Sequence, residues 1–437
     1  MPDHRSRPRE THSARGRRPL GRRRQRHTAL RGTCALLTSL TAGLLAAGTL
    51  TAPSAAADSA TQCRFPNKTY TGRPWALQRV LLDQLWKDTK GKGVRVAVID
   101  TGVDTKHKQL KDAVDAKSGA NFLPKKPKKG RYGQAPPRGK SNGTSDRVGH
   151  GTKVAGLIAA RPAKDTGFVG LAPEATIIPI QQNDENGSGN VSTLATSIRY
   201  ALSKGADVIN ISQDTENAIP NNSVLKRAID QALARDVVVV ASAGNDGLGG
   251  KVKATYPARY DGVLAVASSD RNNERAPFSQ SGSFVDVAAP GVDMISTVPR
   301  GGHCADNGTS FSAPYVAGVA ALLKAKHPDW DVEEIVAQIE QTAERSMAGH
   351  DRLVGWGVID PVRALTEDDH PIRRPVANEG LSKGEAPTPA KLQIGETEQE
   401  RNARIGTYAL IGGAVLVSVV GGTSLIYRDW RRKRGVP

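Results

Sequence analysis

Between residues 93 and 366 the sequence predicts an α/β domain with a mostly parallel sheet, and three observations lead there. Five short runs rich in β-branched residues are apolar along nearly their whole length, the segments between them repeat apolar residues at three and four, and Gly or Asp closes those segments. The runs are "VRVAVID" (94–100), "TIIPI" (176–180), "DVINIS" (207–212), "VVVVAS" (237–242) and "VLAVAS" (263–268). Strands without polar alternation suit a parallel sheet covered on both faces. "VSTLATSIRYALSKG" and "SVLKRAIDQALARD" carry the helical repeat. Strand alternating with helix implies crossover connections, and active groups then belong at the carboxyl ends of the strands.

The ends of the chain describe its address. Eleven Arg in the first 31 residues, against Asp3 and Glu10, give a local net charge of +9; "CALLTSLTAGLLAAGTL" and "APSAAADSA" follow. Basic, then apolar, then small is the layout of a secretory signal over residues 1–57, with Ala55 and Ala57 fitting its cleavage site. An uncleaved anchor is the alternative, and the choice between the general and twin-arginine export routes stays open. Residues 406–427, "GTYALIGGAVLVSVVGGTSLIY", carry no ionisable group except two tyrosines, and at about 1.5 Å per residue they cover roughly 30 Å of hydrocarbon. The tail 428–437 has a net charge of +4, which belongs in the cytoplasm. The domain between is therefore expected outside the cell, with an N-terminal arm at 58–92 and a polar linker at 367–405 too poor in large apolar residues to fold alone.

Those two ends hold most of the +18 net charge and leave +5 for residues 32–427, so a nucleic-acid partner is not implied. The basic stretch 124–140 lies among Gly and Pro and reads as a solvated loop. Cys34 falls within the signal, which leaves Cys63 and Cys304. In an oxidising compartment they are candidates for a bridge; two buried free thiols are the other reading.

Three islands carry the chemistry. Asp100 ends the first strand in "VIDTGVD"; His150 opens a helical run in "GHGTKVAGLIAA"; Ser310 opens another in "NGTSFSAPYVAGVAALLKAKHP", with Pro314 expected in its first turn. Singly, each has a plainer reading: a turn aspartate, a structural histidine, a serine capping a helix. Together they answer one need. A serine hydroxyl is a weak nucleophile at neutral pH and requires a base within hydrogen-bond reach, and that base requires a carboxylate to fix its tautomer.

"VAVIDTGVD", "GHGTKVAG" and "GTSFSAPYVAGVAALL" resemble the three signature blocks of the subtilase family of serine peptidases, and supporting similarity runs over about 75–365. The resemblance implies a doubly wound fold, peptide-bond hydrolysis through an acyl-enzyme, and Asp100, His150 and Ser310 as catalytic residues. It implies Asn245 of "ASAGND" as the oxyanion donor, and Ser188, Gly189 and Ser212 as residues along which substrate backbone lies. Gln213 and Asp214 depart from the family's usual Leu and Gly and leave the specificity wall undefined; Lys153 and Ser312 also depart, at positions without chemistry. No metal and no cofactor are expected. The arm "RPWALQRVLLDQLWKDTKGKGVRVAVID" and the C-terminal span are similar to those of mycosins, membrane-anchored subtilases associated with type VII secretion. The expected role is then processing of exported proteins or secretion-system components, with a structural subunit of a secretion complex as the alternative.

Overall fold

The structure, a computed structural model, describes residues 63–124, 138–184, 189–221, 223–250, 253–377 and 398–435. The expected export signal and Ser188 lie outside the described residues. Elements are numbered in chain order. The arm holds two single turns, α1 (Trp75–Gln78) and α2 (Leu82–Leu85); the domain follows with β1 (Arg95–Asp100), β2 (Ala120–Asn121), α3 (His150–Ala159), β3 (Thr176–Gln181), α4 (Val191–Ser203), β4 (Val208–Ile211), α5 (Val224–Leu233), β5 (Val238–Ser242), β6 (Val263–Ser269), β7 (Val287–Pro290), β8 (Met294–Thr297), β9 (His303–Asp306), α6 (Thr309–Lys326), α7 (Val332–Gln341) and α8 (Pro361–Thr366). A last helix, α9, spans Glu398–Arg434.

Seven strands form one sheet in the order β2-β3-β1-β4-β5-β6-β7, and every pairing is parallel. β8 and β9 make a separate antiparallel pair. The strand pleat divides the core in two. Val96, Val98, Val208, Val238 and Val240 face the side packed by α3 and α6, whereas Ala97, Ile99, Ile209, Ile211, Val239 and Ala241 face α4 and α5. Both faces are covered, which is why the strands read as continuous apolar runs. The sheet grows outward in opposite directions from β1, through β3 on one side and β4 on the other. Crevices at such a reversal open at the carboxyl ends of the strands, here at Asp100.

The helices start where side chains satisfy their free N–H groups. Asn190 accepts from Thr193 N at α4, Ser223 from Lys226 N at α5, and Asp331 with Glu334 forms a capping box at α7. α6 is apolar around its circumference because it is buried against the sheet on one side and α3 and α7 on others. Two expectations for α6 need correction. Its N-cap is Gly308, without a side-chain cap bond, and Ser310 is its second residue, so Ser310 does not cap the helix. Pro314 is the sixth residue and lies in the second turn, where it removes the N–H that would have bonded to the Ser310 carbonyl.

The arm is part of the fold. Ala76, Leu77, Val80, Leu82 and Leu85 are buried in the α3–α6 core, Tyr315 Oη donates to Ala76 O (3.1 Å), and Trp86 Nε1 donates to Leu171 O (2.8 Å). Cys63 and Cys304 form a disulfide (Cα–Cα 6.0 Å), which fastens the start of the described arm to β9 across 241 positions of sequence. Asn67 N donates to Gly301 O and His303 N to Lys68 O, both at 3.0 Å, so the arm lies along the β8–β9 turn. α9 is longer than the apolar stretch predicted for it: the helix begins at Glu398, within the expected linker, and continues through the basic tail to Arg434. Once a turn exists, adding flanking Glu, Arg and Lys residues costs little, because they are good helix formers. The helix is long and apolar enough to cross a membrane.

Candidate active site

Asp100 is fully buried at the end of β1. Its Oδ1 accepts from Thr101 N (2.7 Å) and from His150 Nδ1 (2.8 Å), and Oδ2 lies 3.0 Å from the same nitrogen. His150 is the first residue of α3, and its side chain is 27% exposed, so one edge of the ring is held and the other is open. Close approach is possible because Gly151 follows: a Cβ there would lie 2.2 Å from Gly102 O and 3.1 Å from Asp100 Oδ1. Burial pulls the His150 pKa down, but the charge and hydrogen bond of Asp100, with the charge of Asp146, outweigh it and raise the imidazole above its usual value.

A buried carboxylate that sequence reasoning did not single out holds this start of α3 in place. Asp146 Oδ1 accepts from Thr101 Oγ1 (2.9 Å), Val148 N (3.0 Å) and Gly149 N (2.7 Å); Oδ2 accepts from Thr152 N (2.9 Å) and Thr152 Oγ1 (2.7 Å). It therefore connects the residue after Asp100 to the residues on both sides of His150. Burial pushes its carboxyl up to about 6 against the pull of these donors. The signal was an aspartate shortly before a helix start, where acceptors for free N–H groups are expected. Gly149 sits at φ +86° as the helix N-cap, a conformation that favours glycine.

Ser310 is half-buried in the first turn of α6. Its Oγ donates to Ser212 O (3.1 Å), just past β4, and among the described residues no hydrogen bond joins it to His150. Phe311, the next residue, lies 5.3 Å from His150 by ring centroids, so the two helix starts adjoin. The structure thus brings Asp100 and His150 into contact and sets Ser310 beside them with its hydroxyl turned toward Ser212.

Asn245, just past β5, faces the same helix start. Its Oδ1 accepts from Thr309 N (2.9 Å) and Thr309 Oγ1 (3.0 Å). With the oxygen engaged, the amide nitrogen is left pointing away, without a hydrogen-bond partner among the described residues. Thr309 is a further residue missed from sequence; its hydroxyl also accepts from Gly244 N (3.2 Å). Ser310 N–H, in the first turn, is one of those a helix leaves free, and the positive end of the helix dipole lies there.

A cleft of about 460 Å³ begins at Gln213, the residue after Ser212, and is lined by Gly189, Val191, Asp214, Ile219 and Tyr256 among others. Gly189 and the Ser212 carbonyl are where an extended chain could pair. Lys153, one turn along α3 from His150, is buried and pairs with Asp306 (2.6 Å) while approaching the Phe311 ring. Among the described residues no three His, Cys, Asp or Glu side chains come together to hold a metal ion.

The chain has relatives. The profile described as the Subtilase family matches residues 91–357. M-protease of Shouchella clausii is 38% identical over 288 residues, 66% of this chain and 68% of the relative. Subtilisin Savinase of Lederbergia lenta is 37% identical over 288 residues, 66% of this chain and 96% of its own. Among solved structures, the MycP3 protease from the type VII (ESX-3) secretion system is similar with a TM-score of 0.58 at 33% identity, over 69% of this chain and 90% of its own. MycP1 from Mycobacterium smegmatis gives 0.59 at 32% identity, over 70% and 88%.

Proposed function

The chain belongs to the subtilase family of serine proteases, and from that premise we propose that it is a membrane-anchored endopeptidase acting outside the cytoplasm, with Asp100, His150 and Ser310 as its catalytic triad. One observation carries the reading: a fully buried carboxylate holds, by both oxygens, the Nδ1 edge of a histidine 50 positions away, at a helix start that adjoins the one carrying Ser310. With Nδ1–H donated to Asp100, the lone pair of Nε2 is free to take a proton.

In this mechanism Ser310 rotates its hydroxyl from Ser212 O to His150 Nε2. As Oγ bonds to the scissile carbonyl carbon, its proton passes to Nε2 and the carbonyl π electrons move onto oxygen. Asn245 Nδ2 and Ser310 N–H receive that oxyanion; each such preorganised donor contributes about 3 to 4 kcal/mol to the transition state. Collapse breaks the C–N bond, Nε2–H protonates the departing amine, and the acyl group remains on Ser310. Water then repeats both steps with Nε2 as base, releasing the acid and restoring the serine. Asp100 stays ionised and stabilises the imidazolium.

Address and partners follow from the rest of the chain. The Cys63–Cys304 disulfide supports an oxidising compartment, and α9 supports a membrane anchor with its basic end in the cytoplasm. The likeness to proteases of type VII secretion systems supports exported proteins or components of such a system as substrates. A purely structural subunit would have no use for a buried carboxylate aligned on a histidine, since ordering and burying these groups costs stability. The test is labelling of the full chain with a fluorophosphonate. The expected result is a single adduct on Ser310, absent from Ser310→Ala; a wild-type protein that stays unlabelled at pH 8 would sink the proposal.

A further inference from the structure

The wall of the cleft contains a carboxylate with no counterpart. Asp214 follows Ser212 by two residues, lines the cleft, and is half-buried. Among the described residues it makes no hydrogen bond and no ion pair. Its charged surroundings are Asp246 and Glu216, both of its own sign, and burial with these two pushes its carboxyl up to about 6. Glu216 is already matched: Lys253 pairs with it and Gln280 Nε2 donates to it (3.3 Å). Asp214 has no such partner among the described residues. Burying a charge without a partner is unfavourable, and such a group gains most from a ligand that supplies the opposite sign.

The place of this carboxylate decides which part of a substrate meets it. Oδ2 of Asp214 lies 2.9 Å from where a Cβ on Gly244 would be; Thr255 Cγ2 is equally near that point and Gln280 Cγ is 3.2 Å from it. The point a Gly244 side chain would occupy is thus already filled, and the Asp214 carboxylate packs against Gly244 while lining the cleft. Gly244 immediately precedes Asn245, and on the triad reading, on which this inference rests, Asn245 holds the oxygen of the scissile carbonyl. The residue that owns that carbonyl therefore sits next to Gly244, with its side chain within reach of Asp214 along the cleft. A metal ion is not the occupant this geometry favours, because the three acids nearby do not gather into a metal-binding group. A long side chain ending in a cation matches the charge of this wall and the room in the 460 Å³ cleft it lines.

We propose that Asp214 makes the enzyme selective for polypeptides with Lys or Arg at the residue contributing the scissile carbonyl. Nothing covalent is added to the mechanism. The carboxylate and the incoming cation form an ion pair in a site from which the substrate backbone excludes water, where opposite charges attract more strongly than at an open surface.

The test uses the full chain in detergent and two matched peptide aldehydes, one ending in argininal and one in norleucinal, together with paired peptide substrates carrying Arg or norleucine at the same position. The wild type is expected to prefer the cationic member of each pair by about tenfold or more, and Asp214→Asn to erase the ratio while Ser310 still takes the fluorophosphonate. Asp214→Lys should turn the preference toward Glu. The aldehyde comparison is made on wild type and stands even when a variant does not fold. Labelled wild-type enzyme that treats both members alike, or an Asp214→Asn protein that keeps the ratio, overturns this inference and leaves the peptidase reading intact. Wild type that takes no fluorophosphonate overturns both.

Discussion

Replacing Asp146 removes the acceptor of five hydrogen bonds at one stroke, and the structure says what each donor does next. The hydroxyls of Thr101 and Thr152 can turn to other acceptors. The N–H of half-buried Val148 can reach water. The N–H groups of Gly149 and Thr152, both buried, can do neither. Two orphaned donors at about 1–3 kcal/mol each predict a loss of about 2–6 kcal/mol for Asp146→Ala. Asp146→Asn keeps one carbonyl oxygen for three donors and strands only Thr152 N–H, so about 1–3 kcal/mol is expected. Function should suffer beyond stability, because His150 rides on this helix start and an ångström of displacement can cost about 100-fold in rate. Urea unfolding followed by tryptophan fluorescence should place the midpoints in the order Ala, Asn, wild type at constant m-value, with kcat falling more than KM rises. Asp146→Ala with the wild-type midpoint and the wild-type kcat would refute the assignment of Asp146 as a positioning residue.

Three further outcomes follow from the same geometry. Asp100→Asn should reduce kcat by about 10⁴, since an amide can present N–H to Nδ1 and hold the wrong tautomer; with the raising influence of Asp100 gone and burial left, the acid limb of kcat/KM should move to lower pH, which a pH profile of residual activity reads directly. Cys63→Ser frees the end of the arm. The chain-entropy estimate for a loop of this length is about 5 kcal/mol at most, and limited proteolysis should clip the variant upstream of Trp75, whereas the mature wild type keeps residues 63–90 by mass spectrometry. Burial, with the charge of Asp286, pushes Glu340 up to about 8. A carboxyl raised in the folded state stabilises the fold below its unfolded pKa and loses that contribution as pH rises through 8; Glu340→Gln should accordingly remove this part of the alkaline loss, seen as a higher melting temperature than wild type at pH 9.

Periodicity along the chain was enough to identify five of the seven strands of the sheet, because a strand buried on both faces must be apolar at consecutive positions: 94–100, 176–180, 207–212, 237–242 and 263–268 all coincide with β1, β3, β4, β5 and β6 to within a residue or so, whereas the short strands β2 and β7 were missed. The residue types of the site were legible for a similar reason. An acid, an imidazole and a hydroxyl, each set among small neighbours at an element boundary, form a pattern written locally. Cys63 and Cys304 were legible as candidates, since an oxidising compartment was expected from the ends of the chain, and they form the disulfide.

Distance was not legible. That Asp100 Oδ1 lies 2.8 Å from His150 Nδ1 depends on β1 and α3 meeting across the reversal of the sheet, and no local pattern encodes that meeting. Only the packed chain shows that Gly308 is the N-cap of α6, so that Ser310 does not cap it, that Thr309 engages the Asn245 oxygen, and that Asp146 collects donors from the residue after β1 and from the start of α3 together. Asp214 makes the point most plainly. As a letter it was a departure from pattern; its lack of an ion-pair partner among the described residues is a property of the crevice, set by which loops the sheet brings side by side. Local sequence governs backbone period and chemical type, while partners, charge balance and the aim of each lone pair arise from contacts between segments far apart in the chain.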